Sequence, residues 1–237
     1  YTTLNLVHGE ITRMRYGGNY KSHGPQYVRG IQEGNGIPED GDLWLSYSVN
    51  KEDMWVSRIQ VPVQLEATAH AKDDFSQAET LADLTDWNLY SPLWAPVSLE
   101  GKWLKMSDRD PFDYCRIERK IPASKELKVA FDIKADQNDK GLLQIEFLDE
   151  NSIACARIDL NPDGTMLSKG GARYGKLLNY EAGKSYHVEV ILSVSKRMSE
   201  VFIDGKKAGQ RMFFAPVAAI ERIAFRTGER RTFPTID

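Results

Sequence analysis

The sequence contains no apolar run approaching the ~20 residues needed to cross a bilayer as a helix, which excludes a helical membrane span. Cysteine is nearly absent. Cys115 and Cys155 are the only two, so the disulfide framework of a small stapled domain is excluded and at most one bridge can form. Both lie in strand-like runs, which favours two free, buried thiols over a disulfide. Neither sign of charge is in excess: 31 Lys and Arg stand against 34 Asp and Glu, for a net charge of −3. That balance excludes the basic footprint of a nucleic-acid binder and the cationic patch of a membrane-surface protein. Catalytic fingerprints are also missing. There is no P-loop, no Rossmann glycine motif and no Ser-His-Asp arrangement. His70 and His187 stand in no metal-ligand spacing, so neither a cofactor nor a metal is expected from motifs.

What is present points to packed β-structure. Over 237 residues, 41% are hydrophobic and 10% aromatic, enough for the core of one large β domain or two smaller ones. The chain begins at Tyr1 rather than Met and is expected to be a processed or excised part of something longer. The clearest pattern runs from Gly183 to Gly209. Tyr186, Val188, Val190 and Leu192 alternate with His187, Glu189 and Ile191, and a second alternating run ends at Asp204-Gly205. Period-two alternation predicts strands with one buried face, and a DG pair after a strand is a hairpin signal. Further strands are predicted at Lys102–Met106, Tyr114–Ile121, Leu127–Ala135, Gly141–Leu148, Ile153–Leu160 and Ala219–Arg226, separated by Pro, Asn, Asp and Gly turns. Phe131, Ile133, Ile145, Phe147, Ile158, Val188, Val190 and Ile203 are the expected core. Between residues 64 and 101 the pattern is that of a junction, with one or two helical turns expected over Phe75–Leu84.

Residues 1–63 differ. A glycine-rich stretch, HGEITRMRYGGNYKSHGPQ, has no core periodicity and reads as a long functional loop. Three strands are predicted after it, at Gln26–Ile31, Asp42–Val49 and Met54–Val61. Short strands in about 60 residues match one propeller blade. Through YGGNYKSHGPQYVRG, DLWLSYSVNKEDMWVSRI and the closing VPV, this quarter of the chain resembles the last blade of the sialidase-like β-propellers of bacterial polysaccharide-degrading enzymes. The Asp-box S-x-D-x-G-x-x-W of true sialidases is absent, so the resemblance carries blade architecture and not sialidase chemistry. From about residue 65 to 230, the segments GKWLKM, RIERKIP, FDIKA, LLQIEFLDE, RIDLNPDGT, GKSYHVEV, VFIDGKKAG and IERIAFRTG resemble the concanavalin A-like, laminin-G-like jelly rolls. The expected fold is therefore all-β. A blade-like segment over 1–63 precedes an antiparallel jelly-roll sandwich over 64–237.

Together the resemblances imply the C-terminal portion of a secreted or periplasmic glycoside hydrolase or polysaccharide lyase. The remaining propeller blades would be supplied upstream in the same protein. The fragment itself is expected to support structure and bind a poly- or oligosaccharide, of acidic type if the loop is its reader, and to be inactive alone. The alternative is a structural or interaction sandwich without a sugar site. In the loop, Arg13, Arg15, Tyr27 and Arg29 are the candidate substrate-binding residues, because guanidinium forks grip carboxylates. His23 and Tyr20 are the candidate proton carriers. The plainer reading is that His23 and Tyr27 only fix the loop. Trp87, Tyr90, Trp94 and Trp103 can stack on sugars or simply pack. Asp108, Asp110 and Asp113 offer hard oxygens for a structural calcium, or are merely solvated turn acids. Glu146, Asp149 and Glu150 suggest a glycosidase pair, although charged residues on an outer strand face are the ordinary case. His187 faces outward with no acidic neighbour close in sequence.

Overall fold

The computed structural model describes residues 25–32, 41–61, 70–84, 86–91, 93–109 and 114–228. These divide into two compact units, one holding the strands between residues 25 and 61 and the other holding residues 70 to 228.

The first unit is an antiparallel sheet of β1 (Pro25–Gln32), β2 (Gly41–Val49) and β3 (Asp53–Val61), in that order. Asn50 and Lys51 turn β2 into β3 with φ of 56° and 57°. β1 breaks register between Gln26 and Arg29, where Tyr27 takes a φ of 55°, the signature of a bulge. Tyr47 and Val49 are buried on one face, whereas Trp44, Met54 and Val56 are exposed on the other.

In the second unit, a single 3-10 turn at Leu81–Asp83 forms where one or two helical turns were expected. Among the described side chains of residues 75–84 only Phe75, Ala78, Leu81 and Leu84 are partly buried, too little packing to offset the cost of nucleating a longer helix. Thirteen strands follow in order: β4 (Trp87–Tyr90), β5 (Val97–Glu100), β6 (Trp103–Met106), β7 (Arg116–Ser124), β8 (Glu126–Lys134), β9 (Leu143–Leu148), β10 (Ala154–Leu160), β11 (Thr165–Gly170), β12 (Arg173–Asn179), β13 (Ser185–Ser193), β14 (Met198–Ile203), β15 (Lys206–Met212) and β16 (Ile220–Thr227). They build a seven-stranded sheet, β12-β11-β10-β9-β16-β7-β4, a four-stranded sheet, β15-β14-β13-β8, and a two-stranded ribbon, β5-β6. All pairings are antiparallel. This is the expected all-β sandwich.

The core lies where the inner faces of the two larger sheets meet. Ile145, Phe147, Ile158, Met166 and Ile223 come from one sheet; Ile133, Val188, Val190, Leu192, Val201 and Ile203 come from the other. Burying each such side chain stabilises the fold by about 1.5–3 kcal/mol. Phe131, also expected inside, is partly buried and meets Phe225 edge-to-face at 5.3 Å. A second cluster of Ala95, Val97, Cys115 and Ile117 packs with Leu104 and Met106 of the ribbon. Cys115 and Cys155 are both buried and unbonded.

The Gly183–Gly209 stretch forms the expected hairpin, with Val188 opposite Ile203 and Val190 opposite Val201. Asp204 and Gly205 have φ of 50° and 76°, the two positive values of a type I′ turn. That turn launches β15, a strand not expected from the sequence. Gly175 of β12 has a different reason to be glycine. A Cβ there would lie 1.3 Å from the Nη2 of Arg211, which reaches across from β15.

Candidate functional site

Alternation along each strand of the seven-stranded sheet sends apolar residues inward and charged residues outward. On β9, Ile145 and Phe147 join the core while Gln144 and Glu146 face out. Register then stacks the outward residues beside one another. Arg157 of β10 lies opposite Glu146, and Asp159 lies opposite Gln144. Across β16, Ala224 lies opposite both Glu146 and Glu118, and Arg226 opposite both Gln144 and Arg116. The result is a charged outer face that is nonetheless buried: Glu146 is 1% exposed, Arg116 3% and Asp159 4%.

Such burial requires pairing, and the pairs form a chain. Arg222 Nη1 lies 3.2 Å from Glu118, and Glu118 lies 3.0 Å from Arg116 Nη2. Arg116 Nη1 lies 3.4 Å from Glu146, whose other oxygen is 3.8 Å from Arg157 Nη1. Arg157 Nε ends the chain 2.9 Å from Asp159 Oδ1. Aromatic rings edge the array. Arg226 lies over Tyr114 at 4.1 Å, and Arg157 donates to the Tyr174 hydroxyl. Burial pushes the Asp159 carboxyl up, and the Arg157 charge opposes that shift.

This geometry decides the glycosidase reading of Glu146, Asp149 and Glu150. Glycoside hydrolysis needs one carboxyl free to give a proton and a second free to act as nucleophile or base. Glu146 is clamped between two guanidiniums. Asp149 caps its own turn, accepting from the backbone N–H groups of Asn151 and Ile153 at 2.9 and 2.8 Å. Glu150 is exposed and offers its carbonyl to Arg222.

The other sequence candidates fall in several places. Arg13, Arg15, Tyr20 and His23 lie outside the described residues, as do Asp110 and Asp113. Tyr27 and Arg29 are exposed on β1. Tyr27 lines a shallow open depression with Ser48, Lys51, Glu52 and Met54, and the Lys51 ammonium sits 5.6 Å from its ring. Among the described residues, no three His, Cys, Asp or Glu gather into a metal-binding group. The four aromatics divide. Trp87 packs on Phe75 at 5.7 Å and Tyr90 meets Tyr114 edge-on at 5.2 Å. Trp94 is 62% exposed and Trp103 38%.

His187 does have an acidic partner. Its Nδ1 lies 2.7 Å from Asp132 on β8, 55 positions away. The pairing of β8 with β13 places the two residues opposite one another, which local spacing cannot reveal. Next to it, Lys128 holds the Glu189 carboxyl below the usual carboxylate range through a 2.8 Å contact.

A family model described as "Sialidase-like, CBM domain" matches residues 87–237. No curated protein sequence matches the chain. Among solved structures, a sialidase is 72% identical over 100% of this chain, with a TM-score of 0.91, and the chain spans 22% of that protein's length. The Crh5 transglycosylase in its apo form is 14% identical, with 68% of this chain and 70% of that one covered and a TM-score of 0.53. A Bacillus licheniformis β-glucanase is 9% identical, with 68% and 85% covered and a TM-score of 0.50. The last two likenesses are in fold alone. With the family model covering β4 through β16, the chain belongs to the sialidase-like carbohydrate-binding module family.

Proposed function

We propose that this chain holds glycan without cutting it, as the C-terminal part of a larger carbohydrate-degrading enzyme. The carrying observation is the state of the outer-face carboxylates. A jelly roll can bear a catalytic acid pair on a sheet face. Here Glu118, Glu146 and Asp159 are each spent on arginines in a buried chain of ion pairs, so the sandwich over 64–237 is a binding module.

In this reading residues 1–63 form the last blade of a propeller. The exposure of Trp44, Met54 and Val56 on one face of β1–β3 suits a sheet that packs on a neighbouring blade of the same protein. The parent is a secreted or periplasmic hydrolase or lyase. Its own pocket would take Arg13, Arg15, Tyr27 and Arg29 as grips for an acidic sugar, and His23 and Tyr20 as proton carriers.

The test is affinity retention of the 237-residue chain on immobilised neutral and acidic polysaccharides, with product analysis of the same incubations. Retention without released sugar is expected. Released sugar would overturn the non-catalytic assignment, and absence of retention on every matrix would leave a structural spacer. In the parent enzyme, His23→Ala, Arg13→Ala and Arg15→Ala should each lower kcat/KM; three unchanged values would make the loop structural.

A further inference from the structure

We infer that the outer side of the β5-β6 ribbon is the surface on which this module holds its glycan, and that it takes an extended oligosaccharide carrying acidic groups. The inference rests on the glycan-binding reading above and adds the site and the ligand class.

The ribbon's register sorts its residues by side. Val97 lies opposite Met106, Ser98 opposite Lys105, Leu99 opposite Leu104 and Glu100 opposite Trp103. Backbone bonds from Ser107 to Pro96 and from Arg109 to Trp94, both 2.9 Å, carry the same pairing on to Trp94. Ala95, Val97, Leu104 and Met106 pack into the small core cluster. Alternation therefore turns Trp94, Ser98, Glu100, Trp103, Lys105 and Arg109 to the solvent side.

That side has an indole at each end and polar groups between. Trp94 is 62% exposed and Trp103 38%. Six residues separate Trp94 from Glu100, the partner of Trp103, so the indoles stand roughly 20 Å apart along the ribbon at a rise of about 3.4 Å per residue. A span of that length fits a chain of several sugar rings better than one sugar. Exposed indoles offer large, rigid faces for the C–H side of a pyranose. Trp103 is fixed by the Lys134 ammonium, 5.9 Å from its ring.

Charge sets the ligand class. Glu100 is paired with Lys105 at 3.1 Å, and Asp136, just after β8, reaches the same ammonium at 3.8 Å. Arg109 is exposed beside Trp94, and Lys102 is exposed at the turn. Lys105 already faces two carboxylates, so recognition of an anion falls to Arg109 beside Trp94. A carboxylate or sulfate on a sugar stacked at Trp94 meets the Arg109 fork.

The experiment is calorimetric titration of the full chain with three hexasaccharides: an oligogalacturonate, a sulfated chondroitin oligosaccharide and neutral cellohexaose. At least one acidic probe should bind more tightly than cellohexaose. Trp94→Ala and Trp103→Ala should each weaken it about tenfold, the effect of ~1.4 kcal/mol. Arg109→Ala should lower affinity for the acidic probe while leaving any cellohexaose binding unchanged. Both tryptophans are exposed, so an unchanged thermal midpoint confirms that the variants fold. If the double Trp variant binds the acidic probes as wild type does, or if neither acidic probe binds, the ribbon site is wrong. The glycan-binding reading fails separately, when the unaltered chain is retained on no polysaccharide.

Discussion

The outer faces of the two sheets present similar residue types and treat them in opposite ways. On the seven-stranded sheet, Arg116, Glu146, Arg157 and Asp159 are buried and linked in series. On the four-stranded sheet, His187–Asp132 and Lys128–Glu189, linked by a 4.0 Å contact between His187 and Glu189, and Lys207–Glu200 form pairs in contact with solvent. A buried charge that loses its partner keeps its desolvation cost, whereas an exposed one is rehydrated. The first face is a device that fails as a whole, and the second a set of pairs whose members water can take over.

The sharpest way to break this contrast is Arg157→Ala, which strips a guanidinium from both Glu146 and Asp159. A loss of about 3–5 kcal/mol is expected and is read as a drop in the urea midpoint. Phe147→Ala, one residue from Glu146 on the core side of β9, should cost a comparable 3–5 kcal/mol or so by opening a cavity. Equal losses from neighbours on opposite faces would show that the charged side is held as tightly as the apolar one. Gly175→Ala should cost less, below about 1 kcal/mol, because what a Cβ meets is the far end of the flexible Arg211 side chain, which can swing aside. Adding Arg211→Ala should recover most of that loss, because Arg211 is what the new methyl meets. Lys128→Ala on the four-stranded sheet should shift stability by less than about 1 kcal/mol. A shift as large as that of Arg157→Ala would erase the distinction between the faces.

Acidification separates the faces by sign. Glu189 is held below the usual carboxylate range. It therefore contributes stability above its unfolded pKa that is lost as pH falls through its folded one. Asp159 is pushed up by burial. Its contribution is complete below the unfolded pKa and is lost as pH rises through the folded one. Urea midpoints measured from neutral pH down to about pH 3 should fall less steeply for Glu189→Gln than for wild type. For Asp159→Asn they should fall more steeply. Parallel curves would show that neither carboxyl is coupled to folding.

Of the five strands missed in the sequence, β11 lies inside the seven-stranded sheet and β5 in the ribbon, and the other three share a position. β12, β4 and β15 are three of the four edges of the two larger sheets, and RYGKLLN, WNLY and KKAGQRM carry the polar and charged residues that blunt an edge against stray pairing. Such strands lack the alternating apolar face by which interior strands such as β9 and β13 are read. The charged face was hidden for another reason. Glu146 between Ile145 and Phe147 spells the same pattern whether its side is wet or dry, and burial depends on neighbours brought by register from β7, β10 and β16. His187 shows the same limit, since its acid lies on another strand. The ribbon was half legible. Trp94 and Trp103 stood out as aromatics, but β5 did not, and without it the two rings had no common surface.

The two unbonded thiols mark different parts of the interior, which gives the module built-in clocks. Burial pushes Cys155 up to about 12, so at neutral pH almost none of it is the reactive thiolate. Alkylation must then wait for the chain to open and expose it. Cys155 belongs to the main core, whereas Cys115 belongs to the small cluster beneath the ribbon. The order in which the two accept a label therefore reports whether the ribbon lifts from the sandwich before the sandwich itself comes apart.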